Sequence, residues 1–228
     1  MSPNFKNPLE GYPKTIETKG SDGLPSFRIQ LRTLSPESAK RAHGAADGAW
    51  LFFAVLVAAA LYVGRAHVGL VMCIGAFVLV MVVERFLLGI AENVLCEHTE
   101  IVMSPKAIAV RRGRSQVHYN RLLKHRFATK EHDLTAWEQR AIEYRVRDAS
   151  LSNNKAINPT VYYGQSAHVV LVYAGHRQDL LSVWGITIAS AIVERLQYCD
   201  DCLNMALSMG GSAQTPDDEW PDGPGGIK

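Results

Sequence analysis

The sequence predicts an α+β protein in which a two-helix transmembrane hairpin is followed by a small antiparallel β-barrel or sheet capped by a C-terminal amphipathic helix. Three patterns indicate this fold class. Two uncharged apolar runs lie close together in the first half of the chain, short segments of alternating polar and apolar residues follow them, and a segment with apolar residues every three or four positions comes near the end. The 228 residues suffice for one domain of ordinary size and a membrane anchor.

Residues 1–47 are predicted to form a flexible cytoplasmic tail. Five prolines lie here among charged residues and glycines, and the apolar residues do not recur in a register that builds a core. A short helix is expected to begin near Ser35, because Ser-Pro-Glu-Ser supplies a capping side chain, a first-turn proline and an acidic residue in the favoured order. The segment lacks the basic start and apolar stretch of a secretory signal peptide, so we expect it to be retained.

Residues 48–91 are predicted to form the transmembrane helical hairpin. Residues 49–64 and 68–83 contain no charged side chain. Each run is near the lower limit, because crossing about 30 Å of hydrocarbon takes roughly 20 residues, so each helix is expected to include flanking residues. Two buried core helices of a soluble protein are the alternative, but runs separated only by residues 65–67 would need a larger core than this chain provides.

Basic residues flank the outer ends of the two runs more than the connection between them. Arg32, Lys40 and Arg41 precede the first run, Lys106, Arg111 and Arg112 follow the second, and Arg65 alone lies between them. The positive-inside rule therefore places both termini in the cytoplasm. Glu84 and Arg85 are expected at the cytoplasmic headgroup level, and a functional ion pair inside the membrane is the alternative.

Residues 92–209 are predicted to form a cytoplasmic β-rich domain, and residues 210–228, rich in glycine, proline and aspartate, a disordered tail. Polar and apolar residues alternate in short segments separated by turn residues. The predicted strands are residues 100–103, 107–112, 115–119, 122–129, 168–173 and 177–183. Residues 130–167 are interpreted as an insertion between strands, with a helix near residues 135–140. Apolar residues at helical spacing over residues 188–203 predict an amphipathic helix that covers the sheet.

The composition argues against two classes of function. A formal net charge of +2 is too near zero for a basic nucleic-acid-binding surface, so no nucleic acid is expected as a partner. The sequence contains no GxSxG, P-loop, GxGxxG or His-Glu-x-x-His motif, and no nucleophile, base and orienting group can be assembled from it. The chain is therefore expected to be a non-enzyme without a cofactor.

Cys199 and Cys202 have the spacing at which two thiolates share a metal ion or form a redox pair. Cys96 and His98 would complete a tetrahedral zinc site if the fold brought them beside this helix. Because Cys199 falls on the apolar face of the predicted helix, a small buried residue is the favoured interpretation, and no metal is predicted. A metal-dependent or redox protein stays open as an alternative.

Five basic residues are the predicted contact surface for lipids or a protein partner. They are Arg111, Arg112, Arg114, Lys124 and Arg126. A domain tethered to an anionic leaflet gains about 1 kcal/mol per Lys or Arg near the membrane surface. A solvated face of a sheet is the alternative, since Glu131 and Asp133 lie close in sequence.

Two segments carry a resemblance to a known family. In TEIVMSPKAIAVRRG (residues 99–113) a proline-containing turn precedes a strand that ends in Arg-Gly, and HVVLVYAGHRQDLLSV (residues 168–183) is followed by the helix ITIASAIVERL (residues 186–196). After a membrane hairpin, this order resembles the bacterial pleckstrin-homology-like (PH-like) domain membrane proteins, although residues 130–167 depart from their compact pattern. The resemblance implies a bent, partly open β-barrel plugged at one end by the C-terminal helix, used to bind lipids, peptides or proteins and not for catalysis.

These patterns together predict a multi-pass protein of the bacterial inner (cytoplasmic) membrane that presents a PH-like domain at the cytoplasmic face as a non-catalytic interaction module. The expected partners are membrane lipids, together with a protein partner or a second copy of the chain. The alternative is a subunit or accessory of a larger membrane assembly, such as a secretion, conjugation or transport complex. Fold alone does not decide between these functions.

Overall fold

The computed structural model describes residues 9–20, 23–63, 70–152 and 160–210 of the chain. Within these ranges the backbone forms eight strands and four helices. In chain order they are β1 (Lys14–Lys19), β2 (Pro25–Thr33), α1 (Pro36–Val63), α2 (Leu70–Leu95), β3 (Glu97–Met103), β4 (Ala107–Arg112), β5 (Ser115–Asn120), β6 (His125–Glu131), α3 (Ala136–Ser152), β7 (Ser166–Tyr173), β8 (His176–Trp184) and α4 (Ile186–Gly210). The predicted connection at residues 65–67 and the predicted tail beyond Gly210 lie outside the described residues.

The strands form two antiparallel sheets. A five-stranded sheet has the order β1-β2-β3-β4-β5, and a three-stranded sheet has the order β6-β7-β8. Alternate strand residues face one shared core, which α4 completes by packing on β6, β7, β8 and β2. Ile29, Ile101, Leu171 and Leu196, taken from both sheets and α4, are fully buried. The predicted antiparallel strands and covering helix are confirmed, whereas the described residues form two open sheets and not a closed barrel.

The structure corrects the predicted flexible tail over residues 14–20 and 23–47, which are folded. β1 and β2 lie in this stretch, and β2 is an interior strand because it pairs with β1 on one side and with β3 on the other. Phe27, Ile29 and Leu31 of β2 are buried and alternate with exposed polar residues. β2 pairs with β3, which follows both apolar runs in the sequence. The residues next to β2 in the sequence therefore do not include this pairing partner.

Two predicted helix starts are confirmed by their capping side chains. Ser35 Oγ accepts a hydrogen bond from the Ser38 N–H at 3.2 Å, and α1 begins at the next residue after Ser35. In the predicted insertion, Thr135 Oγ1 accepts from the Glu138 N–H and the Glu138 carboxylate accepts from the Thr135 N–H, both at 3.3 Å. This capping box starts α3, which extends well beyond the predicted helix at residues 135–140.

The helices α1 and α2, called the helix pair below, pack against each other and are long and apolar enough to cross a membrane. The segments long and apolar enough are Pro36–Ala60 and Ile74–Leu95. Within the most apolar 18 residues of each segment, 11% and 0% of the residues, respectively, are buried in the protein. Phe52 and Phe77 are 68% and 67% exposed. Contiguous apolar surface of this kind marks a contact with a membrane or another protein.

The helix pair is inserted between two neighbouring strands of the five-stranded sheet. β2 leads into α1, α2 leads into β3, and the two strands pair antiparallel up to Thr33 opposite Glu97. Arg32 Nη2 donates hydrogen bonds to the Asn93 side-chain oxygen at 2.8 Å and to the Asn93 carbonyl at 3.2 Å. The sheet therefore holds the start of α1 and the end of α2 side by side.

Candidate functional site

The predicted basic residues of the β4–β5 hairpin are divided between two faces of the sheet. Arg111 and Arg112 are neighbours on β4, so their side chains lie on opposite faces. Arg112 continues the inner row that contains the buried Val110, whereas Arg111 lies on the outer face opposite Glu100 of β3. Arg114 lies in the turn between β4 and β5. The hairpin keeps the three residues near each other without making them one surface.

The other two predicted residues, Lys124 and Arg126, belong to the three-stranded sheet. Lys124 precedes β6, and its carbonyl accepts a hydrogen bond from the Ala174 N–H at 3.2 Å. Arg126 lies on the face of β6 opposite to the buried Phe127, in register with Val172 of β7. The predicted cluster therefore becomes two groups, one on each sheet. Strand pairing decides this division, and spacing in the sequence does not reveal it.

An open cleft of about 290 Å³ lies between the two sheets, where β4 and β5 face β8. Its wall includes Val110, Val117, Leu180, Arg112, Tyr119 and Asp179. Burial raises the pKa of Tyr119, an effect that nearby Arg112 partly offsets. The cleft therefore combines apolar side chains with one positive and one negative side chain in its wall.

Aromatic residues close one end of the cleft. The Tyr119 hydroxyl donates to Gln178 Oε1 at 2.8 Å, and its ring meets the Tyr173 ring edge-on with centroids 5.4 Å apart. The Asn120 N–H donates to the Tyr173 hydroxyl at 3.2 Å. These contacts join the last residues of β5 to the β7–β8 turn.

A buried ion cluster joins α4 to the loops at one end of the sheets, and no sequence pattern predicts it. The Arg121 side chain is 1% exposed, and its Nε donates to Asp200 Oδ1 at 2.6 Å. Its terminal nitrogens donate to the Pro105 carbonyl at 3.2 Å, the Asp200 carbonyl at 2.7 Å and Asn204 Oδ1 at 2.6 Å. The partners lie 16 to 83 residues away in the sequence, so no local spacing signals them.

Asp200 of this cluster also faces His125, whose Nε2 lies 3.1 Å from Asp200 Oδ1. The hydrogen bond to Asp200 raises the pKa of His125, although burial opposes the shift. Burial raises the pKa of Asp200, but the contacts with His125 and Arg121 outweigh it and leave the pKa below its ordinary value. The cluster therefore fixes β6 and α4 together and serves the fold.

The cysteines lie in different parts of the fold. Cys199 is fully buried in the core, and burial raises its pKa to about 12, which disfavours the thiolate that a metal requires. His98 lies on the outer face of β3, because its neighbour Thr99 faces the core. Cys202 packs against the core, and Cys96 lies between α2 and β3. Among the described residues, no group of three or more His, Cys, Asp or Glu side chains is placed to hold a metal ion.

The first turns of α1 pack on the β-domain, defined as β1 to β8 with α3 and α4. The buried side chains of α1 here are Ala39, Ala42 and Ala46. The His43 ring meets the Trp184 ring edge-on with centroids 5.4 Å apart. The backbone N–H of Trp184 donates a hydrogen bond to the Leu34 carbonyl at 2.7 Å. Helix and domain therefore meet through a packed junction.

A second cavity, of about 540 Å³, lies in the helix pair close to this junction. Asp47 and Trp50 of α1 line it together with Glu84 of α2. Glu84 therefore lies level with Asp47, which comes directly before the predicted hairpin segment, residues 48–91. The Trp50 indole N–H is buried here and has no hydrogen-bond partner among the described residues.

No protein-family model matches the chain, and neither a curated protein nor a solved structure is detectably similar to it. These comparisons neither support nor oppose the resemblance to PH-like domain proteins. The fold itself defines an α+β protein with two apolar helices long enough to span a membrane and with open antiparallel sheets.

Proposed function

We propose that this chain is a membrane-anchored, non-catalytic interaction module of the bacterial inner membrane. The helix pair forms a transmembrane hairpin and holds the β-domain, a PH-like fold, at the cytoplasmic face, where it binds lipid headgroups or a partner protein. The observation that carries this proposal is the insertion of the helix pair between the paired strands β2 and β3.

This insertion supports a hairpin that crosses the bilayer and returns. Neighbouring strands lie about 4.8 Å apart, so the chain leaves the sheet and re-enters it at nearly the same place. The start of α1 and the end of α2 are both attached to the same side of the β-domain. These two ends therefore lie on the same side of the membrane. The exposed apolar side chains of α1 and α2 supply the surface that lipid requires.

Charged residues near the junction support a cytoplasmic β-domain. Lys40 and Arg41 lie in the first turns of α1, and Arg32 binds the end of α2 through Asn93. Basic residues at this end of a span favour the cytoplasmic side. Glu84 lines a cavity with Asp47 at the same end of the pair, which agrees with a position at the headgroup level.

The packed junction supports a fixed orientation of the β-domain on the membrane. A domain joined by a flexible linker would sample many orientations. Here the first turns of α1 are packed into the domain, and Trp184 is hydrogen-bonded to the residue before the helix cap. The same side of the β-domain would therefore always face the bilayer.

The contacts of the buried charged groups support binding over catalysis. Arg121 and Asp200 form an ion pair. Glu138 accepts hydrogen bonds from the backbone N–H groups of Tyr162 at 2.6 Å and Tyr163 at 2.9 Å. Each of these groups ties parts of the fold together. The cleft between the sheets combines apolar walls with strand edges, which suits recognition of another molecule.

Washing of isolated membranes with alkaline carbonate tests the anchor. The full-length protein is expected to stay in the membrane pellet and to be released by detergent, because two helices cross the bilayer. Recovery of the protein in the soluble fraction without detergent would overturn the proposal.

A further inference from the structure

Among the described strands, four lie at the edges of the two sheets, and one of these four lacks the usual protection. An edge strand exposes unpaired N–H and C=O groups, which natural proteins guard with charges, prolines or bulges. The guarded edges are β1 with Lys14, Glu17 and Lys19, β6 with Arg126, Lys130 and Glu131, and β8 with Arg177, Asp179 and an irregular register near Val170. β5, with the sequence SQVHYN, has no charged residue and no proline.

The direction of the β5 backbone groups follows from two hydrogen bonds at its end. The Arg121 N–H donates back to the Lys106 carbonyl at 2.9 Å, whereas the Asn120 N–H donates away from the sheet to the Tyr173 hydroxyl at 3.2 Å. Backbone groups of a strand alternate between its two edges, so His118 and Gln116 share the outward direction of Asn120. No strand of the described residues pairs with this edge.

The side chains beside this edge favour a particular kind of segment. Val117 faces the cleft, is 46% exposed and shares the apolar wall with Val110 and Leu180. Arg112 lies in the same wall and forms no ion pair with any described residue. A strand laid along β5 would place one apolar side chain against Val117 and, two residues along, one acidic side chain opposite Ser115, on the face where Ser115 is paired with Arg112 of β4.

We propose that β5 accepts an extended segment of a partner protein as an additional strand, bound through the outward main-chain groups of Gln116 and His118, with an apolar residue in the cleft and an acidic residue beside Arg112. Addition of a strand to an exposed sheet edge derives its affinity from main-chain hydrogen bonds and its specificity from pockets for alternate side chains. This inference rests on the proposed function and specifies its partner as an extended polypeptide.

The test uses the full-length protein in mild detergent and a phage-displayed library of short random peptides as the probe. Enriched peptides are expected to alternate apolar and polar residues, with an acidic residue at one end of the pattern. One enriched peptide is then synthesised with a fluorophore, and its affinity is measured by anisotropy.

Two matched variants separate main-chain from side-chain recognition. His118→Pro removes an outward N–H without touching the ladder to β4, and is expected to weaken binding by about tenfold. His118→Ala keeps that N–H and is expected to change the affinity by less than about twofold. Gln116→Pro repeats the test at the second outward position in case His118→Pro does not fold, as judged by thermal unfolding.

Several outcomes would overturn the proposal. They are an absence of enriched peptides, equal binding by wild type and both proline variants, and equal loss in His118→Ala and His118→Pro. A dimer that the proline variants convert to a monomer would identify a second copy as the occupant and would also overturn it. Carbonate-resistant anchoring is measured on the same variants, so failure of the anchor and failure of the strand site are distinguished.

Discussion

If α2 spans the membrane, the same charge is expected to have very different effects on membrane insertion at two similarly exposed apolar positions. Phe77 in α2 is 67% exposed, and Leu122 in the β5–β6 connection is 62% exposed. In a water-exposed site, arginine at either position would change stability by about 0.5 kcal/mol or less. Phe77 lies near the middle of the second uncharged run, where arginine costs about 2.5 to 3.5 kcal/mol and phenylalanine contributes about −0.3 to −0.6 kcal/mol. Phe77→Arg therefore disfavours insertion by about 3 to 4 kcal/mol, or roughly 100-fold to 1,000-fold.

The assay is carbonate extraction of isolated membranes, with the protein quantified in pellet and supernatant. Wild type and Leu122→Arg are expected in the pellet, because neither alters a span. Phe77→Arg is expected to shift to the supernatant or to be lost from the membrane. If Phe77→Arg fractionates like Leu122→Arg, the exposed face of α2 does not lie in lipid and the reasoning is refuted.

Three further predictions concern the β-domain. Arg121→Met leaves the partly buried Asp200 without its main counter-ion and is expected to lower the free energy of unfolding by about 3 to 5 kcal/mol in chemical denaturation. A loss below about 1 kcal/mol would contradict the structural role of this ion pair. Asp200 raises the pKa of His125, so the stability contributed by protonated His125 is complete below the ordinary histidine pKa and is lost as the pH rises through the raised pKa. The pKa of Asp200 is lowered, so the stability contributed by ionised Asp200 is lost only as the pH falls through that lowered pKa. His125→Gln is therefore expected to flatten the decline in thermal stability above about pH 6.5, and an unchanged profile would exclude this contact as its cause. Ala174 has a φ of 48° in the turn before Gly175, a left-handed conformation that is strained for alanine and tolerated better by asparagine. Ala174→Asn is therefore expected to raise the free energy of unfolding by about 0.5 to 1 kcal/mol, and a loss of stability would contradict strain at Ala174.

The elements predicted correctly from the sequence are those whose signal is local. α4 shows apolar residues at helical spacing, and β7 and β8 flank the short turn at Ala174 and Gly175. The start of α1 is set by Ser35, only three residues from the N–H that it caps. Such patterns depend on neighbouring residues alone, so they survive without knowledge of the tertiary fold.

The missed features depend on contacts between distant parts of the chain. β2 looks like part of a polar tail until β3, on the far side of the helix pair, supplies its partner. Arg121 resembles any loop arginine, and only the approach of α4 makes it a buried cation. The basic residues of β4 looked like one cluster because sequence proximity hides the alternation of faces that a strand imposes.

The proposed transmembrane hairpin is tested most directly by labelling single cysteines with a membrane-impermeant maleimide in intact bacterial spheroplasts. The four natural cysteines are replaced by alanine, and one cysteine is introduced either in the predicted connection, as Ala66→Cys, or on β4, as Arg111→Cys. We expect Ala66→Cys to be labelled in intact spheroplasts and Arg111→Cys only after the membrane is permeabilised. Labelling of Arg111→Cys in intact spheroplasts, or protection of Ala66→Cys until permeabilisation, would contradict a hairpin that holds the β-domain at the cytoplasmic face.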